Sequence, residues 1–339
     1  MGKDYDKRQE IFSGYPRGWF VVAFSDELGP GDILKVPCFG DTIVVYRGED
    51  GVARAMDAYC PHLGGGFARG KVVGDSIECP FHAWRFGPDG KCNHIPYAKG
   101  IPEKARVATR IIQEVNNIIY LWNDPEGGEP DFDIPVLPEC DSDEWTPWEH
   151  AKLEIPTHPH ELVENVVDIG HFAPVHGTHV EKFENEFRGH LAIQRNAGVA
   201  YPLGGGVDRY SIEATYYGPG FQISYWNGYL EARLINANTM IDKNKMTLHF
   251  GVMLKKGKDA RVTDNFLKGY VENLSKGFQE DVDIWLEKKF TPRPVLCDGD
   301  GPIMRLRKWY AQFYTPRAQV QPLPFDGKPL ETEVLPVAQ

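Results

Sequence analysis

The sequence predicts an α+β protein with two domains: a first domain of antiparallel β-strands, and a second in which an antiparallel sheet is combined with helices. The length of 339 residues is enough for two separate cores. Short β-branched and aromatic segments between turn residues fill the first part of the chain, and helical patterns follow after residue 160. A loop rich in Pro and acidic residues at 124–150 lies between them. We therefore predict domains at 1–145 and 146–339.

The individual elements follow from the same signals. The segments predicted as strands of the first domain are GWFVVAF, TIVVYR, ARAMDAY, SIEC and NIIYLWN. In the second domain we predict a helix at about 160–173, followed by strands within ISYWNGYLEARLINANTMI and MTLHFGVML. Helical patterns at 263–289 and 303–313 follow these strands.

The composition argues against several classes of function. The chain has 37 Lys and Arg against 48 Asp and Glu, a net charge of −11, so we expect no basic surface for nucleic acid. No apolar run approaches the roughly 20 residues that span a bilayer, and the first residues do not form a secretory signal. Six cysteines in such a chain are expected to be reduced or metal-bound. We therefore expect a cytoplasmic protein without a membrane span.

The most specific motif lies in CPHLGGGFARGKVVGDSIECPFHAW at 60–84. Cys60 and His62 form Cys-x-His, and Cys79 and His82 form Cys-x-x-His, so each end of the motif carries one thiolate and one imidazole. This arrangement suits a Rieske [2Fe-2S] cluster, in which one iron takes both cysteines and the other takes both histidines. Zinc is the alternative, although zinc fingers usually pair cysteine with cysteine and histidine with histidine.

A second group of histidines lies in ELVENVVDIGHFAPVHGTHV at 161–180. His171 and His176 flank Ala-Pro, and Pro174 is expected to end the preceding helix. On an unbroken helix the two side chains would point roughly 140° apart, whereas a turn at Pro174 would let them converge. Two imidazoles and a carboxylate from elsewhere would form a mononuclear iron site with positions left open for dioxygen.

The candidate carboxylate is Asp281, in VTDNFLKGYVENLSKGFQEDVDIWLEKKF. At about 100° per residue, Glu280, Asp283 and Glu287 fall on the polar face of the predicted helix, while Asp281 falls within the apolar stripe. A buried carboxylate is usually paired or bound to metal. We therefore predict Asp281 as the third ligand, with a salt bridge to Arg or Lys as the alternative.

Together these motifs resemble the Rieske non-haem iron oxygenases, whose pattern C-x-H…C-x-x-H and N-x-x-D-x-x-H-x-x-x-x-H matches this chain. The resemblance implies a Rieske domain followed by a helix-grip-like catalytic domain. It also implies that Asp168 links the mononuclear iron of one subunit to His82 of its neighbour, usually in a homotrimer. Asn165 matches the family's asparagine near the iron.

A narrower resemblance comes from SKGFQEDVDIW and DGDGPIMRLRKWYAQFY, which are similar to segments of the 3-ketosteroid 9α-hydroxylase oxygenases. It supports Asp281 as an iron ligand and implies hydroxylation of a hydrophobic, steroid-like substrate with O2. The aromatic segment TYYGPGFQISYWNGY is a candidate for the pocket wall, although aromatic strands are more often core.

The electrons must come from outside the chain, because we find no Rossmann fingerprint and no second cluster motif. We therefore expect a separate reductase or ferredoxin that delivers electrons from NAD(P)H. Sterol desaturation, sterol methyl oxidation and O- or N-demethylation remain alternatives within the family. A Rieske electron carrier without oxygenase activity and a zinc-stabilised binding module are alternatives from other classes.

Overall fold

The computed structural model describes residues 7–200, 208–228, 230–256 and 264–321. Within these ranges the chain forms antiparallel sheets with few helices, as predicted. No helix among them is long and apolar enough to cross a membrane. The predicted domains also include residues 1–6 and 322–339, which lie outside the described residues.

Residues 18–123 form three small antiparallel sheets. Their strands are β1 (Gly18–Phe24), β2 (Ile33–Cys38), β3 (Asp41–Arg47), β4 (Ala53–Asp57), β5 (Lys71–Val73), β6 (Ser76–Glu78), β7 (Arg85–Phe86), β8 (Cys92–His94), β9 (Thr109–Arg110), β10 (Ile112–Val115) and β11 (Ile118–Asn123). They pair in the orders β1-β11-β10, β2-β3-β4-β9 and β5-β6-β7-β8. Every residue of β1 is buried, which accounts for its unbroken apolar sequence. The five strands predicted in this part are confirmed with small differences at their ends.

The second part is built on one antiparallel sheet of seven strands. These are β12 (Glu149–Ile155), β13 (His179–Arg188), β14 (Leu191–Ala200), β15 (Asp208–Tyr217), β16 (Phe221–Asn227), β17 (Ala232–Asp242) and β18 (Lys245–Leu254). The strands from β13 to β18 follow one another as hairpins, and β12 pairs with β18 at the other edge. The helices are α1 (His160–Glu164), α2 (Phe172–His176), α3 (Asp264–Glu287) and α4 (Ile303–Ala311).

The small sheet that contains β1 and β11 packs against the large sheet. Trp19 and Tyr120 share one buried cluster with Phe221, Ile223 and Ile235. Burial of large aromatic side chains contributes about 1.5–3 kcal/mol each. This shared core holds the two parts of the chain together. The predicted domain boundary between residues 145 and 146 stays a prediction.

Arg233 on β17 fixes the loop between the two parts. Its guanidinium donates to Glu139 at 2.8 Å, and both side chains are largely buried. The same guanidinium lies 4.5 Å from the ring centroids of Trp145 and Tyr225. Cation–π contacts on two aromatic rings add to the ion pair. The acidic loop, which contains a short 3-10 helix at Pro138–Asp141, therefore lies against the sheet.

The helix predicted at about 160–173 is wrong, because α1 ends at Glu164 and residues 165–171 form turns. The backbone N–H groups of residues 165–168 donate to carbonyls three residues earlier, which tightens the chain into turns, and tertiary contacts also hold this segment. The carbonyl of Val166 accepts a hydrogen bond from Asn185 at 2.8 Å. Gly301 packs so closely that a Cβ there would lie 1.7 Å from the Val167 carbonyl oxygen. The chain therefore leaves the helix before His171, the first of the two histidines predicted as metal ligands.

The prediction that Pro174 ends a helix is also wrong. Pro174 is the third residue of α2, and its position needs no hydrogen-bond donor because the first turn of a helix leaves its N–H groups free. The helix ends instead at Gly177, which has the left-handed conformation with φ of 62°. His171 caps the start of α2 and His176 is its last residue.

Helix α3 covers one face of the large sheet. Its residues Leu267, Val271, Val282 and Trp285 are buried against the sheet, and Leu248, Phe250 and Val252 of β18 belong to the same cluster. The apolar stripe predicted from the sequence is therefore confirmed. This packing determines which side of α3 faces the interior, and so where Asp281 lies.

Candidate metal centres

Two loops bring the four residues of the first motif together. Cys60 and His62 lie in the loop after β4, and Cys79 and His82 lie in the loop between β6 and β7. Both cysteines are buried, and the two imidazole rings lie 4.7 Å apart between centroids. The structure thus places all four predicted cluster residues at one point, with the thiols inside and the imidazoles toward the surface.

Glycines between these residues allow the loops to approach. Gly64 has a φ of +73°, which favours glycine over residues with a side chain. A Cβ at Gly65 would lie 2.7 Å from the sulfur of Cys79, so any larger residue would push the second cysteine away. The backbone of Cys60 donates to the Gly65 carbonyl at 2.8 Å, which closes the turn. The glycine run therefore has a steric function at this site.

The donor atoms fit a Rieske cluster. Within the described residues, the Nδ1 atom of His62 is buried and has no hydrogen-bond partner, as expected for a nitrogen whose partner is a metal. Burial and the neighbouring Cys79 thiol together raise the pKa of Cys60 to about 11. Metal ions are the usual means of stabilising buried thiolates. The indole of Trp84 stacks on the His62 ring, with 4.4 Å between centroids and 6° between planes.

The second group of predicted residues also converges. One ligand atom from each of His171, His176 and Asp281 lies within 4.8 Å of the others. The Nε2 of His176 lies 3.4 Å from Oδ1 of Asp281, and the two imidazole rings lie 5.3 Å apart, nearly perpendicular. Two imidazoles and one carboxylate on one side of a centre form the facial arrangement typical of non-haem iron(II).

Neighbouring groups orient each of these side chains. The Nδ1 of His171 lies 2.6 Å from the carbonyl oxygen of Asp168 and donates to it, which leaves Nε2 as the free acceptor. Asn165 donates to Oδ2 of Asp281 at 3.2 Å. The hydrogen bond with Asp281 raises the pKa of His176 above its usual value. Asn165, predicted as a site residue, therefore contacts the carboxylate and not the histidines.

The carboxylate of Asp168 lies on the Nδ1 side of the His171 ring. Its side chain is 42% exposed, and its Oδ2 lies 3.7 Å from Nδ1 of His171. The hydrogen bond with His171 lowers the pKa of Asp168, and the charge of Lys288 lowers it further. Asp168 is therefore an accessible, ionised group whose backbone carbonyl accepts a hydrogen bond from His171, a candidate metal ligand.

A cavity of about 380 Å³ opens beside the three convergent residues. It is lined by Phe172, His176, Thr178, Tyr210, Ile212, Trp226, Tyr270, Asn273, Leu274, Gly277, Phe278 and Asp281. Tyr210 stacks on Trp226 with 5.1 Å between ring centroids. Among the described residues of the predicted aromatic segment, only Trp226 lines this cavity, while Tyr216 and Phe221 belong to buried clusters. Tyr229, the last residue of that segment, lies outside the described residues. Thr178, Tyr210, Ile212 and Asn273 also line the cavity but belong to no ligand motif, so they were not predicted as site residues.

The chain matches two family models. The Rieske [2Fe-2S] domain matches residues 18–108, and the 3-ketosteroid 9alpha-hydroxylase C-terminal domain matches residues 121–314. The 3-ketosteroid-9-alpha-monooxygenase oxygenase component of Rhodococcus rhodochrous is 36% identical over 327 residues, which cover 92% of this chain and 86% of the relative. The cholesterol 7-desaturase nvd of Xenopus laevis is 30% identical over 335 residues, which cover 89% of this chain and 72% of the relative.

Solved structures show the same fold at lower identity. Dicamba monooxygenase bound to dicamba superimposes with a TM-score of 0.76 at 18% identity, over 89% of this chain and 98% of the other. NdmA of Pseudomonas putida CBB5 gives a TM-score of 0.72 at 19% identity, over 91% and 92% of the two chains. At this level of identity the similarity concerns the fold alone.

Proposed function

Because the chain belongs to the Rieske oxygenases with a C-terminal domain of the 3-ketosteroid 9α-hydroxylase type, we propose that it is the oxygenase component of a monooxygenase that hydroxylates a steroid-like ring. One observation carries this proposal: a buried carboxylate and two imidazoles meet at an apolar cavity of about 380 Å³. Ligand pockets usually measure roughly 300–1,000 Å³.

Two metal groups fit the residues. Cys60 and Cys79 would hold one iron of the [2Fe-2S] cluster, while His62 and His82 would hold the other. His171, His176 and Asp281 would hold a single iron(II). When bound, the cluster supplies single electrons, and the iron(II) leaves coordination positions open for O2. In the protein itself, Asn165 and the Asp168 carbonyl keep the carboxylate and one imidazole in the orientation needed.

The cavity walls favour a flat hydrophobic substrate. Phe172, Trp226 and Phe278 provide apolar area on different sides of the space, which would also exclude water from the reacting carbon. Thr178 and Asn273 also line the cavity, and their polar groups would orient a substrate oxygen. A steroid, with fused rings and a few oxygen atoms, has this combination of surfaces.

The sheet beneath the cavity offers further polar groups. Asn196 of β14 pairs in register with the cavity-lining Ile212 of β15, so both side chains lie on the same face. Asn196 is buried, and its Oδ1 has no hydrogen-bond partner among the described residues. The Nε2 of Gln194, on the same face, is also buried and has no hydrogen-bond partner among the described residues. Unpaired buried amides are costly, so they support binding of a partly polar substrate.

We propose that electrons cross between subunits through His82 and Asp168. Leu63 and Phe81, next to the cluster histidines, are more than 60% exposed. The loop that carries the fully exposed Val295 ends at Gly301, against Val167 and so beside Asp168. Exposed apolar groups therefore lie both beside His82 and beside Asp168, the two ends of the proposed electron transfer. They support docking of one subunit on the next. A homotrimer, a separate NAD(P)H-dependent reductase and a cytoplasmic location complete the proposal.

A reconstituted assay tests this function. The iron-replete protein, a generic reductase, NADH and O2 are incubated with ketosteroids, sterols or small aromatic ethers, and products are identified by mass. A steroid that gains one oxygen atom, at the expense of NADH, supports the proposal. Because a cholesterol 7-desaturase is 30% identical to this chain, sterol desaturation is the second candidate, and a sterol that loses two hydrogens would favour it. Absence of any product with all three classes would contradict both.

A further inference from the structure

Lys288 joins two elements that contribute to the mononuclear site. It follows directly after α3, seven residues beyond Asp281, and seven residues return to nearly the same face of a helix. Its ammonium lies 2.8 Å from Oε2 of Glu161 and 3.4 Å from Oε1 of Glu164. Both carboxylates belong to α1. Lys288 therefore links the end of α3 to α1.

The carboxylate ends of this link are buried, while the side chain of Lys288 itself is 37% exposed. The side chain of Glu161 is fully buried and that of Glu164 is 8% exposed. Coulomb interactions are stronger where water is excluded. Burial lowers the pKa of Lys288, but Glu161 and Glu164 outweigh it and raise the pKa above its ordinary value. Lys288 is therefore cationic at this position.

A second contact joins the same two elements at the metal site. Asn165, the residue after Glu164, donates to Oδ2 of Asp281 at 3.2 Å. The chain from Asn165 leads through Asp168 to His171, so the orientation of α1 also determines where the first histidine lies. The contacts of Lys288 and of Asn165 together restrict the rotation of α1 relative to α3. A single contact would leave the two elements free to rotate about it.

The carboxylates keep other partners without Lys288. Arg8 lies 2.5 Å from Glu161, and Arg307 of α4 donates to Glu164 at 2.7 and 3.1 Å. Neither carboxylate would be left as an unpaired buried charge, the usual reason why loss of one ion-pair partner unfolds a protein. The fold should therefore tolerate the loss of Lys288, while α3 and α1 would be left with the contact between Asn165 and Asp281 and with their apolar packing.

We propose that Lys288 is a positioning residue for the mononuclear metal site: its ion pairs with Glu161 and Glu164 hold α1 against α3, so that Asp281 meets His171 and His176 at ligand distance. This inference rests on the proposed metal site. Lys288 is neither one of the three convergent residues nor among the residues that line the cavity, so its effect would appear first in metal binding.

Metal titration tests the proposal. The full chain with its Rieske cluster intact is freed of mononuclear metal and titrated with Co(II) without oxygen, for the native protein and for Lys288→Met, Lys288→Arg and Lys289→Met. Affinity and the ligand-field absorption spectrum are measured, together with Rieske absorbance and thermal unfolding. Lys289 is the neighbouring exposed lysine and controls for the loss of one positive charge.

We expect Lys288→Met to bind Co(II) roughly tenfold more weakly, as is usual when a residue that supports metal ligands is lost, and to alter the spectrum. Rieske absorbance should not change, Lys288→Arg should restore the affinity, and Lys289→Met should match the native protein. Equal affinities for Lys288→Met and the native protein would overturn the inference alone, as would an equal loss in Lys289→Met. A native protein that binds no Co(II) would overturn the proposed metal site itself.

Discussion

Gly277 lies one helical turn before Asp281 on α3 and lines the cavity. A Cβ at this position would meet no atom within 4 Å, so the methyl group of Gly277→Ala enters open space at the cavity wall. Alanine inside a helix is favoured over glycine by about 0.5–1 kcal/mol. The same methyl group takes space from a ring substrate, and one excess methyl group in an apolar pocket changes discrimination by roughly 10–200-fold.

Gly269→Ala is the matched control, because Gly269 lies in the same helix, also has open space around its Cβ position, and is not among the cavity-lining residues. Both variants should raise the unfolding free energy by up to about 1 kcal/mol, measured by thermal unfolding. Only Gly277→Ala should lower kcat/KM for a fused-ring substrate, by about tenfold or more. Unchanged kcat/KM in Gly277→Ala, or an equal decrease in both variants, would refute the assignment of this cavity to substrate.

Three further predictions address the metal centres and the core. Asp281→Ala should reduce total iron from about three to about two atoms per chain without loss of Rieske absorbance, since the cluster holds two irons. The control Asp283→Ala should keep all of the iron. Full iron content in Asp281→Ala would exclude Asp281 as a ligand. Asp168→Asn should keep both centres filled but lower steady-state turnover at least about tenfold; normal turnover would rule out the proposed electron path. Burial lowers the pKa of His249 to about 4 from its ordinary 6.5. Between these two pH values the unfolded chain binds a proton at His249 and the native state does not. The free energy of unfolding therefore decreases by roughly 3 kcal/mol as the pH falls from the ordinary pKa to the native one. Denaturant unfolding of His249→Leu should show a flatter pH dependence over that window, and an identical slope would contradict the assignment.

The inward direction of Asp281 could be predicted because α3 is long and regular. Over 24 residues the apolar positions define one face of the helix, and a single carboxylate stands out within it. The structure agrees: Asp281 is buried, whereas Glu280 and Asp283 are exposed. The cysteine and histidine motif could be found for a similar reason, because each pair of candidate ligands lies within one short loop and depends only on local spacing.

Strands β13 and β14, close to the cavity, could not be predicted in the same way. β14 places Gln194 and Asn196 on its buried face, where a strand of an ordinary core would carry apolar residues. β13 is an edge strand, and a bulge between Val180 and Lys182 interrupts its alternation. Functional surfaces thus break the pattern on which strand prediction depends. The turn after α1 was missed because contacts with residues far along the chain determine it.

Helix α3 carries both a proposed iron ligand and part of the cavity wall, so it fixes the distance between the proposed iron and that wall. Asn273, Gly277 and Asp281 follow one another at intervals of four residues, so the same helix face provides cavity wall and ligand. A shift of α3 would move both together and keep the distance between metal and wall nearly constant. The opposite wall, which includes Tyr210, Ile212 and Trp226 from β15 and β16, has no such link to the ligands. We therefore expect that relatives with different substrates, such as the ketosteroid monooxygenases and the cholesterol desaturase, differ mainly at this sheet wall, while the ligand face of α3 remains the same.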